Sequence, residues 1–136
     1  MKKTKTEMLS EVISNITSKG RCMVTGEQDE FGACLYWNES LGYGCAIGNF
    51  LKPEYQTDKF AENNLDYVKP LVHEQSISIL KPEYQTEDLI FLTMLQDLHD
   101  GHKNWTLVDG NLSLSDYGQE NVDYILNHIE ESGDEL

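Results

Sequence analysis

Apolar positions recur along this chain at spacings that separate helices from strands. Met8, Leu9, Val12, Ile13 and Ile16 fall on one side of a 3.6-residue period, which predicts an amphipathic helix over residues 5–18. Thr4 followed by Glu7 fits a capping box, and Lys19-Gly20 supplies a cationic last turn and a glycine stop. Gly26, Gly32 and the acidic trio Glu27, Asp29 and Glu30 then predict a loop, after a short strand at 22–25. Two β-prone runs, 33–38 and 43–48, flank Glu39-Ser40-Leu41-Gly42 and predict a hairpin. With that four-residue loop Tyr36 faces Cys45 and Cys34 faces Ile47, while Leu35 and Trp37 point to the other side.

The segment Leu51-Lys52-Pro53-Glu54-Tyr55-Gln56-Thr57 recurs as Leu80-Lys81-Pro82-Glu83-Tyr84-Gln85-Thr86. The flanks do not match, so the expectation is a duplicated local device in which Pro opens a turn of helix and Thr caps the next element. Between the copies Leu65, Val68, Leu71 and Val72 have helical spacing, interrupted by Pro70. After Thr86, the residues Leu89, Leu92, Leu95 and Leu98, broadened by Phe91 and Met94, predict a helix that Gly101 stops. Residues 105–108 read as a short strand with Asp109-Gly110 as a turn. A last helix over 116–130, capped by Ser115, buries Val122, Ile125, Leu126 and Ile129. The pattern is that of an α+β protein, with at least three amphipathic helices packed with a small antiparallel β-hairpin. One domain is expected over residues 1–131, with 132–136 a frayed acidic tail.

Composition narrows the class of function more than it names one. The 136 residues are 39% hydrophobic and 25% charged, the balance of a globular chain able to bury a core without disulfides or metal. No apolar run approaches the length of a membrane span. The N-terminal lysines are not followed by an apolar stretch, so a cytoplasmic location with reduced cysteines is the expectation. The net charge is −14 and is unevenly spread. Residues 1–50 carry five Lys or Arg against six Asp or Glu, whereas residues 51–136 carry five against eighteen. Such a surface repels phosphate backbones and anionic lipid and attracts basic protein patches. No direct nucleic-acid partner, membrane or cofactor is therefore expected.

Three constellations carry candidate chemistry. Asp116, Glu120, Asp123, Glu130 and Glu131 concentrate carboxylates on the last helix, where spacings of three and four share a face. They are the expected partner-binding residues for a basic protein surface. His73, His99, Asp100 and Asp123 occur in the order of a metal phosphohydrolase of the HD type, in which imidazoles and carboxylates hold a divalent ion that activates water. The plainer alternative is a helix end whose carbonyls meet an imidazole. Tyr36, Trp37 and Tyr43 form the third set, as the lining of a small-metabolite pocket or as ordinary core. Cys22, Cys34 and Cys45 have no zinc-ribbon spacing and read as small buried hydrophobes.

The segment Cys34-Leu35-Tyr36…Cys45-Ala46-Ile47-Gly48-Asn49-Phe50-Leu51…Tyr55, with the later Leu95-Gln96-Asp97-Leu98-His99-Asp100, resembles small uncharacterised bacterial and phage proteins. These carry a C-x-Y…C-A-x-G-x-x-L…Y segment and an L-Q-x-x-H-D helix. The resemblance implies an accessory protein without an assigned activity. It favours a non-enzymatic interaction protein, such as a phage-encoded inhibitor of a basic nucleic-acid-handling or defence protein.

Overall fold

The computed structural model describes residues 2–21, 37–58 and 78–136. Thr4 does open the first helix, α1 (Lys5–Lys19), and the capping box is complete: the Thr4 side chain accepts from the Glu7 amide while Glu7 reaches back to the Thr4 amide. Met8, Leu9, Val12 and Ile16 are buried along its inner face. The other long elements are α2 (Leu89–Asp100) and α3 (Asp116–Ser132). The paired strands form two hairpins: β1 (Trp37–Asn38) with β2 (Tyr43–Gly44), and β3 (Trp105–Val108) with β4 (Asn111–Leu114). The protein is α+β. One apolar cluster runs through α1, α2 and α3 and takes in Trp105, Leu112, Ile47 and Phe50. No helix among the described residues is long and apolar enough to cross a membrane.

The second strand of the expected first hairpin is shorter than its sequence pattern. Trp37 pairs with Gly44 and Asn38 with Tyr43, in the expected register, but the second strand stops at Gly44. Side chains take over the backbone groups that would have continued the ladder. The Asn49 amide bonds both the N–H (2.9 Å) and the C=O (3.0 Å) of Gly44. The Ile47 N–H donates to Gln96 Oε1 at 3.2 Å, and the Gly48 N–H lies 3.3 Å from Cys45 Sγ. These bonds favour a turn over a strand from Cys45 onward. Residues 33–36, the strand expected at 22–25 and the helix expected around Leu65–Val72 lie outside the described residues.

The two Lys-Pro-Glu-Tyr-Gln-Thr copies meet each other. Leu51 and Leu80 form an antiparallel bridge, and both are wholly buried. The Lys52 N–H donates to the Ile79 carbonyl and the Lys81 N–H to the Phe50 carbonyl, each at 2.9 Å. Beyond this crossing each Pro-Glu-Tyr winds one 3₁₀ turn, and the two lysines that precede them share almost one backbone conformation. The result is a local two-fold arrangement, sealed on one side by Phe50 stacked on Tyr84 with centroids 4.3 Å apart. Thr86 does not cap α2. It is buried and accepts from the Asp88 amide, and Asp88 caps the helix by accepting from the Phe91 N–H.

Two further expectations are corrected. Leu126 is 42% exposed rather than core, because the buried stripe of α3 is Gly118, Val122, Ile125 and Ile129, and Leu126 lies at its edge. The acidic end of the chain is not frayed. The Asp134 carbonyl accepts from the Lys5 N–H and its carboxylate from the Thr6 N–H, both at 2.8 Å, and Glu135 bridges to Thr4. With Thr4 serving Glu7 and Met8, the first four amides of α1 all have acceptors.

Candidate functional site

α3 is held from its ends. Ser115 accepts from the Gly118 N–H, and Gly118 itself lies so close to Asn104 that an added Cβ would overlap the Asn104 carbonyl oxygen. Helix α3 thereby presents a fixed outer surface. Asp116, Glu120, Asp123, Glu130 and Glu131 are all exposed on it. At 100° per residue these five fall within an arc of about 100°, over a length of about 22 Å. Gln119 donates to Asp123 at 3.2 Å and Asn127 to Glu131 at 3.5 Å. Among the described residues, no cation pairs with any of the five.

Beside this carboxylate stripe stand two tyrosines that sequence reasoning did not single out. Tyr117 and Tyr124 are 55% and 67% exposed and lie one heptad apart, on the flank of α3 that faces α2. They border a cleft of about 410 Å³ between the two helices, walled by Met94, Leu98 and Ile125. Its polar groups are Asp97, Asn104 and Asn121. Asn104 is buried and ties the helices together: its Nδ2 donates to the Leu98 carbonyl at 3.1 Å, and its Oδ1 accepts from Asn121 Nδ2 at 2.6 Å. Desolvation, and then the charge of Asp100, raise the pKa of Asp97 above the usual carboxylate value. On the other side of Tyr124 a second, shallower depression is lined by Glu120, Asp123 and Asn127. The tyrosines therefore stand between a recess containing one carboxylate and an open face containing five.

The residues of the metal reading are not brought together. His99 is fully buried and its Nδ1 lies 2.8 Å from Asp100 Oδ1, whereas Asp123 is on the exposed face of another helix. His73 lies outside the described residues. No three His, Cys, Asp or Glu side chains among the described residues are placed to share an ion. Asp100 instead belongs to a buried polar network. Gln96 Nε2 donates to it at 3.2 Å, and Gln96 Oε1 accepts from the Ile47 N–H and lies 3.4 Å from Cys45 Sγ. The network joins the Cys45-Ala46-Ile47-Gly48 segment to the Gln96…His99-Asp100 segment, so the two motifs of the resemblance meet. A buried Cys45 has no exposure with which to act as a nucleophile. Two of the three residues of the expected aromatic pocket are kept apart: the hairpin register sends Trp37 and Tyr43 to opposite faces, and Tyr43 packs on the core. Tyr36 lies outside the described residues.

Two further clusters escaped the sequence. Arg21, the only arginine in the chain, is 1% exposed, and its guanidinium donates to the carbonyls of His99 (2.8 Å) and Asp100 (2.7 Å). Arginine closes this helix end. At the opposite end of α2, Asp88 Oδ2 receives Lys5 Nζ at 2.6 Å and lies 2.8 Å from His128 Nε2. Desolvation pushes the Asp88 carboxyl up, but the bonds from Lys5, the Phe91 amide and His128 outweigh it and hold the pKa at about 2. Neither cluster shows in a sequence pattern, because their partners lie 40 to 83 residues apart.

No protein-family model, curated protein or solved structure matches the chain.

Proposed function

We propose that this chain is a non-enzymatic interaction protein that binds a basic protein surface through the outer face of α3. The observation that carries the reading is the placement of Asp116, Glu120, Asp123, Glu130 and Glu131 along one exposed arc of a well-anchored helix, flanked by Tyr117 and Tyr124. Carboxylates in such an array steer a cationic partner and set its register. Exposed tyrosines supply rigid, amphipathic contact area of the kind that anchors interfaces. A nucleic-acid-handling protein fits the description of the partner, since its phosphate-binding groove is lined with Lys and Arg. In that groove the α3 carboxylates would stand where phosphates stand, and the chain would act as an inhibitor.

The test begins with affinity capture from the native host and identification of the captured protein by mass spectrometry. The recovered partner is then titrated against the wild type and the Glu120→Lys/Asp123→Lys variant at rising salt. The expected outcome is an affinity that falls steadily with ionic strength and drops about tenfold or more in the variant at low salt, converging with wild type as screening sets in. Binding indifferent to both salt and charge reversal would remove the reading.

A further inference from the structure

We infer that the cleft between α2 and α3 is the anchor pocket for a single arginine side chain of that basic partner. The inference rests on the proposed interaction through α3 and adds the chemistry of its central contact.

The cleft is rich in acceptors and, among its lining residues, has no cation. The Asp97 carboxylate has no hydrogen-bond donor or ion-pair partner among the described residues, and its neighbour Asp100 adds negative charge. Asn121 spends its amide N–H on Asn104, which leaves its Oδ1 as an acceptor without a described donor. A carboxylate and an amide oxygen beside an apolar wall call for a ligand with several donors on a long apolar stem. The entrance sharpens the choice. Tyr117 and Tyr124, a heptad apart and about 10.5 Å along the helix, bring two aromatic rings to the lip, on residues that are each more than half exposed. A planar guanidinium stacks on such faces and presents its donors as a fork to a carboxylate. An ammonium, as a hydrated point charge, uses neither property as well. The depression across Tyr124, with Glu120 and Asp123, places further carboxylates where residues flanking the arginine would lie.

The experiment uses the full chain and three small probes: Nα-acetylarginine amide, Nα-acetyllysine amide and the uncharged isostere Nα-acetylcitrulline amide, with nona-arginine as the probe of the wider face. Binding is followed by NMR on the Asn104 and Asn121 side-chain amides and the rings of Tyr117 and Tyr124. The arginine probe is expected to shift these signals, the lysine probe to do so more weakly and citrulline not at all. Asp97→Asn should weaken the arginine probe about tenfold, and Tyr124→Ala about threefold. Both sites are on the surface, and unchanged melting cooperativity confirms that the variants fold. Equal shifts from citrulline, or indifference to Asp97→Asn, would overturn the pocket. If nona-arginine then still bound in a salt-dependent manner, with shifts confined to Glu120, Asp123 and Asn127, the α3 reading would stand without it. Arginine-probe binding in the cleft with no binding of nona-arginine at low salt would keep the pocket and remove the wider acidic interface.

Discussion

Gly118 shows how much a single position constrains this protein. In sequence it looks like a weak point in a helix, since glycine costs helix stability. In the fold it lets α3 approach the backbone of Asn104, where even a methyl group would overlap the carbonyl. Gly118→Ala is therefore expected to destabilise by about 3 kcal/mol despite its better helix propensity, as read by denaturant midpoint. Asp88 makes a different kind of claim. Its folded pKa of about 2 lies below the ordinary 3.8, so its contribution is present above the unfolded pKa and is lost as pH falls from about 4 toward 2. After solvent screening that shift corresponds to about 1–2 kcal/mol. Asp88→Asn should lower stability at neutral pH by about that amount and flatten the acid limb of the stability curve. An unaltered acid limb would show that the Lys5–Asp88–His128 cluster carries no such weight. Asp97 is the mirror case. Its raised pKa means that ionisation costs stability as pH rises, so the variant that weakens arginine binding is also the one that relieves a desolvated charge.

Among the elements, the helices and most of their limits were legible, but not every group that satisfies their ends. Capping boxes and apolar periodicity are local, and α1 and α3 begin where Thr4 and Ser115 predict. The far end of α2 follows another logic. Gly101 is in an extended conformation rather than the left-handed one of a glycine cap. The last four carbonyls are met from outside: Asp97 and Leu98 by Asn104, Leu98 also by Trp105 Nε1 at 2.8 Å, and His99 and Asp100 by Arg21. Arg21→Met, which keeps much of the stem's volume, is expected to cost about 3 kcal/mol by leaving two carbonyls unsatisfied. Hydrogen exchange should quicken first at the C-terminal turn of α2, and exchange that stayed uniform would argue against a capping role. The Lys-Pro-Glu-Tyr-Gln-Thr copies belong to this scale as well. Their identity is plain in the sequence, and Pro predicts the turns, but nothing local indicates that two stretches 29 residues apart bond to each other.

At the scale of the molecule, the two ends of the described chain meet. The expectation that 132–136 fray comes from composition, since short acidic tails rarely bury enough to be held. Asp134 is held for an electrostatic reason: its carbonyl and carboxylate satisfy the first two amides of α1, where the helix dipole favours negative charge. Ending the chain at Gly133 should lower stability by about 1–2 kcal/mol and unfasten the first turn of α1, measurable as faster amide exchange at Lys5 and Thr6. Unchanged protection there would mean that Asp134 only follows the helix rather than capping it.

The uneven charge also resolves at this scale. A count divided at residue 50 locates the excess in the second part of the chain, and helical spacing suffices to put five of its carboxylates on one arc of α3. What the sequence by itself determined is therefore what depends on neighbours a few residues away: the periodic faces, the N-caps, the Asp109-Gly110 turn with positive φ at both residues, and the acidic stripe. Only the tertiary structure decided which groups from distant segments share a space. It set Tyr117, Tyr124 and Asp97 around one cleft, spent Arg21 on closing a helix and the His99-Asp100 pair on a buried network, and kept Asp123 apart from His99. Hydrogen bonds and ion pairs act over a few ångströms, and which residues come that close is settled by packing rather than by spacing along the chain.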